Sequence, residues 1–442
     1  MSFSLPYSRH RRYLTGIDWI MGAIDYGARG ANGFGCHSQA ILDLEGMVDE
    51  GPLRAALDQI ARQFPLLRGR VARDWLNLAP YWTTPPADSL PPLPLNVVQV
   101  SSDDQAERLL DEHANARFGS ESDHLRFLLV QIGQAASRLG MVFDHRLLDA
   151  FGAESLLRLI DQTARGHLDE IAPRVRQTEP AHLDHWQRRF LSGRTLNRYL
   201  IGLGKQSICA LDKPRSQPRP SVRFLHDGLT AEQTADFNRR ATEEIGLPII
   251  LPSAAARAII ALKQTIPIMP LAGEQLTLFT TVNTRLPGQE WEKLLFNQLS
   301  LMTFSAGASG SSSAAQIATG LRDQFVDQTR LQIPFVMEDA AALGRICPHW
   351  IGSRLMRLVN DGRLCTFYFV CLRENGYAGD CFLGQPVTNL RHKPLTFFPP
   401  GLNICMTSFA GRFNLVVSYL EGSLPDSVAG RLLKEFKAAL LE

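Results

Sequence analysis

Residues 142–152 read VFDHRLLDAFG. An apolar, strand-like run ends at Asp144. His145 and Asp149 follow, four residues apart, ahead of FGAESLLRLID, where Leu156, Leu157 and Ile160 recur at helical spacing. The pattern predicts a strand, a short loop and a helix packed back on the sheet. His145 then lies between a strand's carboxyl end and a helix's amino end, where a rigid scaffold presents a short segment to a ligand. Histidine is the side chain whose unperturbed pKa lies nearest neutrality, so it can take a proton from an alcohol or amine and pass it on. An aspartate beyond a turn can stay ionised and brace the loop. The plainer reading is a loop histidine beside an N-cap aspartate, because Asp149 at the head of a helix accepts free backbone N–H groups whatever His145 does. Spacing by itself does not choose between the two.

Working outward, RFLLVQI (126–132) and LGMVFD (139–144) read as two strands joined by a short polar turn. Upstream, SQAILDLEG reads as a strand leading to a helix in which Leu53, Leu57, Ile60 and Phe64 recur after Pro52, and Pro65 ends that helix. Between 186 and 223 the composition shifts: basic residues from Arg188 to Arg223 face one acid, Asp212, and KPRSQPRPS is too proline-rich for regular structure. A boundary placed there gives two lobes, 1–205 and 206–442. The second opens with the strand SVRFLHD and a helix from Thr230, which with Gln233 makes a capping box. The β-branched strand LTLFTTVNTR ends at Arg285. A Gly/Ser loop, a helix around AAQIATGLRDQFVDQ, the strands RLCTFYFVCL and RFNLVVSYL, and a helix with Val428, Leu432, Phe436 and Leu440 complete it. Both halves are α/β and mix hairpin with crossover connections.

In this order the motifs resemble one family. VFDHRLLDAFG is similar to the HHxxxDG segment of the chloramphenicol-acetyltransferase-like superfamily, which holds nonribosomal-peptide condensation domains, polyketide-associated and wax-ester acyltransferases and the plant HxxxD acyltransferases. LDLEGMVDEGPLRAALDQIARQFPLLRGRV resembles the family's opening strand, helix and turn, with Pro65, Leu67 and Arg68 in place. HDGLTAEQTADFNRRATEEIGLPIILPSAAARAI resembles the helix pair that begins the second lobe, and TTVNTR its strand ending in an arginine. FNQLSLM is similar to the segment around a family asparagine, at Asn297, and PVTNLRHKP to a second asparagine region, at Asn389. The likeness runs over nearly the whole chain.

The resemblance implies an α/β fold of two chloramphenicol-acetyltransferase-like lobes, each a mixed sheet with helices, in a V around a central tunnel. It implies His145 as the catalytic base, Asp149 as the aspartate that holds the loop, and Arg285 as its ion-pair partner across the lobes, with Asp144 and Asn389 in support. The implied reaction moves an acyl group from a thioester of coenzyme A, or of a carrier protein's phosphopantetheine arm supplied in trans, to a hydroxyl or amine of a small-molecule or lipid acceptor. That donor is a co-substrate; no permanently bound cofactor, metal or redox group is expected.

Two positions depart from the family pattern. Asp144 stands where the first histidine is expected and Ala150 where the closing glycine is, although the plant relatives carry HxxxD alone. Heterocyclisation domains have two aspartates at the separation of Asp144 and Asp149, but they lack the histidine and carry a serine where Gly152 falls. The alternative to an enzyme is a degenerate homologue that binds a thioester or a protein without turnover.

Other features are weaker. His182 and His185 in AHLDHW can be drawn as a metal pair, yet no third ligand accompanies them and solvated helix positions account for both. The basic stretch from Arg188, interleaved with Phe190, Leu191, Tyr199, Leu200 and Ile201, fits an acidic carrier protein, coenzyme A phosphates, anionic lipid or a solvated connection. SAGASGSSS lacks the lysine and spacing of a phosphate loop. Seven scattered cysteines without C-x-x-C spacing argue against a disulfide framework or zinc site, and Cys365 and Cys371 are expected on one face of a strand as reduced core residues. Forty-six basic against forty-four acidic residues give a formal +2, which does not suggest a nucleic-acid partner. No apolar run of signal-peptide length follows the first basic residues. LPIILPSAAARAIIALKQTIPIMPL is interrupted by Arg257, Lys263 and prolines, so a cytoplasmic protein without a membrane span is expected.

Overall fold

The structure is a computed structural model that describes residues 11–31, 33, 35–74, 78–84, 91–179, 186–211, 220–266, 269–270, 275–308, 312–358, 362–373, 376–394 and 396–442. His182 and His185 lie outside the described residues, as do 212–219 of the proline-rich stretch and 309–311 of the Gly/Ser loop.

Two six-stranded mixed sheets organise the chain. The first is built on the antiparallel pair His37–Glu45 and Ala136–Asp144; Leu125–Ile132 pairs with the latter, and Leu95–Val100 adds in parallel. Period-2 alternation divides its side chains between two cores. Ala40, Leu42, Leu139, Met141 and Phe143 pack against helices Glu50–Gln63 and Ala150–Ala164 through Leu53, Leu57, Ile60, Leu156, Leu157 and Ile160. On the other face Ile41, Leu128 and Val130 meet Ala106 and Leu110 of helix Asp103–Asn115. Each large apolar side chain so buried contributes about 1.5–3 kcal/mol relative to exposure. The helix Glu50–Gln63 begins at Asp49, whose side chain accepts from Gly51 N, and stops just ahead of Pro65.

The second sheet runs in the order Leu299–Gly307, Gln275–Asn283, Phe367–Leu372, Leu402–Phe409, Arg412–Leu420 and Val222–Gly228. Helices Ala231–Ile245, Leu251–Thr265 and Asp426–Leu441 cover one side, with Phe237, Ile259 and Phe436 against Phe367, Phe369, Ile404 and Leu415. The capping box expected at Thr230 and Gln233 is present, and Ser313 with Gln316 makes another at the head of Ala314–Arg330. Cys365 is buried but precedes its strand, which starts at Phe367, so it does not share a strand face with Cys371.

The first sheet does not come from the first half of the chain alone. Strand Gln385–Lys393 leaves the second half and pairs antiparallel with His37–Glu45, followed outward by the short strand Cys381–Phe382. Its Arg391 bridges Asp43 and Glu107, and Lys393 reaches Asp111 at 2.5 Å. The halves are stitched again where Asn115 pairs with both backbone groups of Val222, at 2.7 and 2.9 Å. Among the described residues no helix is long and apolar enough to cross a membrane.

Candidate active site

Strand Ala136–Asp144 ends as expected, and helix Ala150–Ala164 begins with Asp149 as its N-cap. His145 still belongs to the ladder in part, because its N–H donates to Cys36 O at 2.9 Å. Phe143 and His145 lie on one side of the strand, their rings 5.5 Å apart. Asp144, by alternation, points the opposite way.

Asp149 is fully buried and fully paired. Arg285 grips it with two nitrogens at 2.8 and 2.9 Å, Gly152 N donates at 2.7 Å and Gln298 N at 2.8 Å. Two guanidinium and two amide N–H groups saturate the carboxylate, so it has no oxygen left for the imidazole or for a substrate. Arg285 in turn donates to Lys293 O at 2.9 and 3.1 Å and stacks over Phe151. A buried carboxylate and guanidinium repay their desolvation only in such close, hydrogen-bonded geometry.

The segment that supplies Gln298 also clamps the loop at two further points. Phe296 N donates to Leu147 O at 2.5 Å, and Asn297 Nδ2 donates to His145 O at 2.5 Å. Phe296 adopts φ 71°, a left-handed conformation that costs a side-chain-bearing residue about 1–3 kcal/mol. Its ring is held between Trp82 and the Arg12 guanidinium, which offsets that strain.

The Asn297 amide faces the imidazole. Because its Nδ2 is committed to a carbonyl, its Oδ1 is the atom facing His145 Nδ1, at 3.5 Å, and it can only accept. The compatible neutral tautomer carries hydrogen on Nδ1 and a lone pair on Nε2, which has no hydrogen-bond partner among the described residues. His145 is half-buried, whereas Asp144 and Asp149 are sealed. Burial lowers its pKa, the Asp149 charge, the Asn297 contact and Asp144 oppose this, and nearby His392 adds to the depression; the net shift is downward.

Asp144 serves a separate buried cluster. Its carboxylate accepts from Arg146 at 2.6 Å and from His124 Nδ1 at 2.9 Å, while His124 Nε2 reaches Gly69 O. Burial opposes its ionisation, but Arg146 and His124 hold it far below the usual carboxylate range. Asp25 extends the cluster, 3.7 Å from Arg146 and bonded to Cys36 N. Asn389 stands elsewhere: it lies opposite Asp43, which pairs with Arg138, six residues before Asp144, and it exchanges hydrogen bonds with Asn414 of the second sheet at 3.0 Å. The structure therefore brings His145, Asp149 and Arg285 together, turns Asp144 away and leaves Asn389 at the seam between sheets.

Sequence reasoning missed His124, Arg146 and the His392–Glu154 pair. Glu154 accepts from His392 Nε2 at 2.7 Å and from Gly376 N, tying the returning strand to the helix that Asp149 caps. Arg146 meets Asp144 from two residues away and His124 meets it across the neighbouring strand, but no local signal marks the His392–Glu154 pair, whose members lie 238 residues apart.

No family model matches the chain, and no curated protein matches its sequence. Solved structures do. The first condensation domain of the calcium-dependent antibiotic synthetase, in complex with a substrate analogue, aligns with TM-score 0.69 and 16% identity over 98% of this chain and 96% of its own. The trichothecene 15-O-acetyltransferase from Fusarium sporotrichioides aligns with TM-score 0.65 and 11% identity over 97% and 95%. Polyketide synthase associated protein 5 from Mycobacterium tuberculosis aligns with TM-score 0.61 and 13% identity over 98% of both chains. Together with the two stitched sheets, these full-length likenesses show that the chain shares its two-lobed fold with that condensation domain and that acetyltransferase.

Proposed function

We propose that the chain is an acyltransferase that moves an acyl group from a coenzyme A or carrier-protein thioester to a hydroxyl or amine, with His145 as general base. The observation that carries this reading is the placement of His145: a half-buried imidazole held neutral by burial, with Nδ1 3.5 Å from Asn297 Oδ1 and no hydrogen-bond partner for Nε2 among the described residues. In the proposed step, Nε2 takes the acceptor's proton as its oxygen or nitrogen attacks the thioester carbonyl. The tetrahedral intermediate then expels the thiolate, and the imidazolium returns the proton to sulfur. Base assistance of this kind is worth roughly 10²–10⁴-fold. In this reading Asp149 and Arg285 hold the loop, and the Asp149 charge also raises the imidazole's pKa against the effect of burial. The fold shared with a condensation domain and an acetyltransferase supports the reaction class.

The test is thioester-dependent transfer by the purified chain, offered coenzyme A and phosphopantetheinyl donors with alcohol and amine acceptors and read by mass spectrometry. His145→Ala, folding as the parent does, is expected to lose about 10²-fold or more of that transfer. No transfer by the parent with any donor, alongside retained thioester binding, would instead assign the chain to a binding role.

A further inference from the structure

The helix Trp186–Gly204, WQRRFLSGRTLNRYLIGLG, contains four arginines and no acid. Arg189, Ser192 and Leu203 form its buried side, and it packs on helix Ile333–Gly344. With 3.6 residues per turn, the opposite side gathers Phe190, Leu191, Arg194, Arg198 and Ile201, with Lys205 just past the end. Trp186, Phe190, Leu191 and Ile201 are 50%, 62%, 62% and 50% exposed. Large apolar side chains concentrated on one exposed face mark an interaction surface.

The surface continues across neighbouring helices. Ile333–Gly344 adds exposed Phe335 and packs on Gly16–Ala31, which packs on His349–Leu358, where Trp350 and Leu355 are exposed. The acids of these four helices are engaged: Asp18 and Asp25 are buried against Arg12 and Arg29, Glu338 accepts from the N–H groups of Gly16 and Ile17, and the partly exposed Asp339 pairs with Arg188. What the layer turns outward is apolar, aromatic and positive.

We infer that this layer adsorbs to an anionic phospholipid surface. Trp186, Phe190, Leu191 and Ile201 enter the boundary between headgroups and acyl chains, and Arg194, Arg198 and Lys205 pair with lipid phosphates. The exposed side of a helix is a ridge, which suits a deformable plane. Aromatic rings at the interface and long cationic side chains reaching the headgroups are the pattern that an interfacial helix uses. The inference goes beyond the transferase reading and does not need it, because adsorption requires no turnover.

Sedimentation of the full chain with vesicles of phosphatidylcholine, with and without phosphatidylserine, tests it. Binding is expected to favour the phosphatidylserine vesicles by about tenfold or more and to weaken as salt rises. The pairs R194E/R198E and F190S/L191S, all at exposed positions, should each lower that binding by about tenfold or more while circular dichroism and Tm stay at parental values. A blue shift of tryptophan emission on vesicles, reduced in Trp186→Phe, is the second readout. His145→Ala should bind as the parent does, so a failed transfer assay and a failed vesicle assay are distinguishable. No binding to either vesicle, or equal binding by R194E/R198E, overturns the inference. So does a parental dimer in light scattering that F190S/L191S makes monomeric, which would give the surface to a second copy.

Discussion

At the scale of the residue, the candidate base is set by what surrounds a single imidazole. Burial favours its neutral form, and the Asn297 oxygen, 3.5 Å from Nδ1, favours hydrogen on that nitrogen. A base works only while unprotonated, so a pH–rate profile should be level around neutrality and fall on acidification through a value below 6.5. The Asn297 contact raises the imidazole's pKa, so Asn297→Ala should move that acid limb to still lower pH while reducing kcat by about tenfold, because the tautomer is no longer held. The Asp149–Arg285 pair carries a different cost. Asp149→Ala strands a buried guanidinium and two amide donors, and about 3–5 kcal/mol of stability should go with it. Arg285→Ala added to Asp149→Ala should cost less than the two single losses together, a coupling readable from denaturant midpoints.

At the scale of the element, two segments hold the loop from opposite ends: helix Ala150–Ala164 from within its own lobe, and 285–298 from the other. Gly152 sits where they meet. A methyl there would lie 2.6 Å from Leu294 O and 3.2 Å from Asp149 Oδ1, and a backbone carbonyl cannot swing aside as a side chain can. Helix propensity alone would favour alanine at this position by about 1 kcal/mol. Close packing is expected to win, so that Gly152→Ala destabilises by about 1–3 kcal/mol in thermal or urea unfolding. The sign separates the two effects, since a stabilised variant would mean that the segment can retreat from the helix.

At the scale of the whole molecule, the lobes share covalent chain and hydrogen bonds too intimately to be separate folding units. Without Gln385–Lys393 the first sheet would expose the edge of His37–Glu45, and Asp43 and Glu107 would lose Arg391. An unpaired, apolar edge of that length is a template for aggregation. Residues 1–205 expressed alone are therefore expected to be insoluble or molten, and co-expression with 206–442 to recover soluble protein. The intact chain should unfold in one calorimetric transition.

The amino-acid sequence by itself determined the local elements. The strand into Asp144, the helix from Asp149, the helix stopped ahead of Pro65 and the capping box at Thr230 and Gln233 each follow from periodicity and end signals within a few residues. The ion pair between Asp149 and Arg285 was legible as well, through the likeness of TTVNTR to a known strand end, although 136 residues lie between them. Only the tertiary structure decided which way Asp144 faces, that Phe296 and Asn297 clamp the His145 loop, and that a strand near residue 390 completes a sheet begun at residue 37. The physical reason is range. Helix and strand signals are written in neighbouring side chains, whereas Asn297 and His392 acquire their partners when segments 152 and 238 residues apart close around a shared core, and no spacing along the chain records that closure.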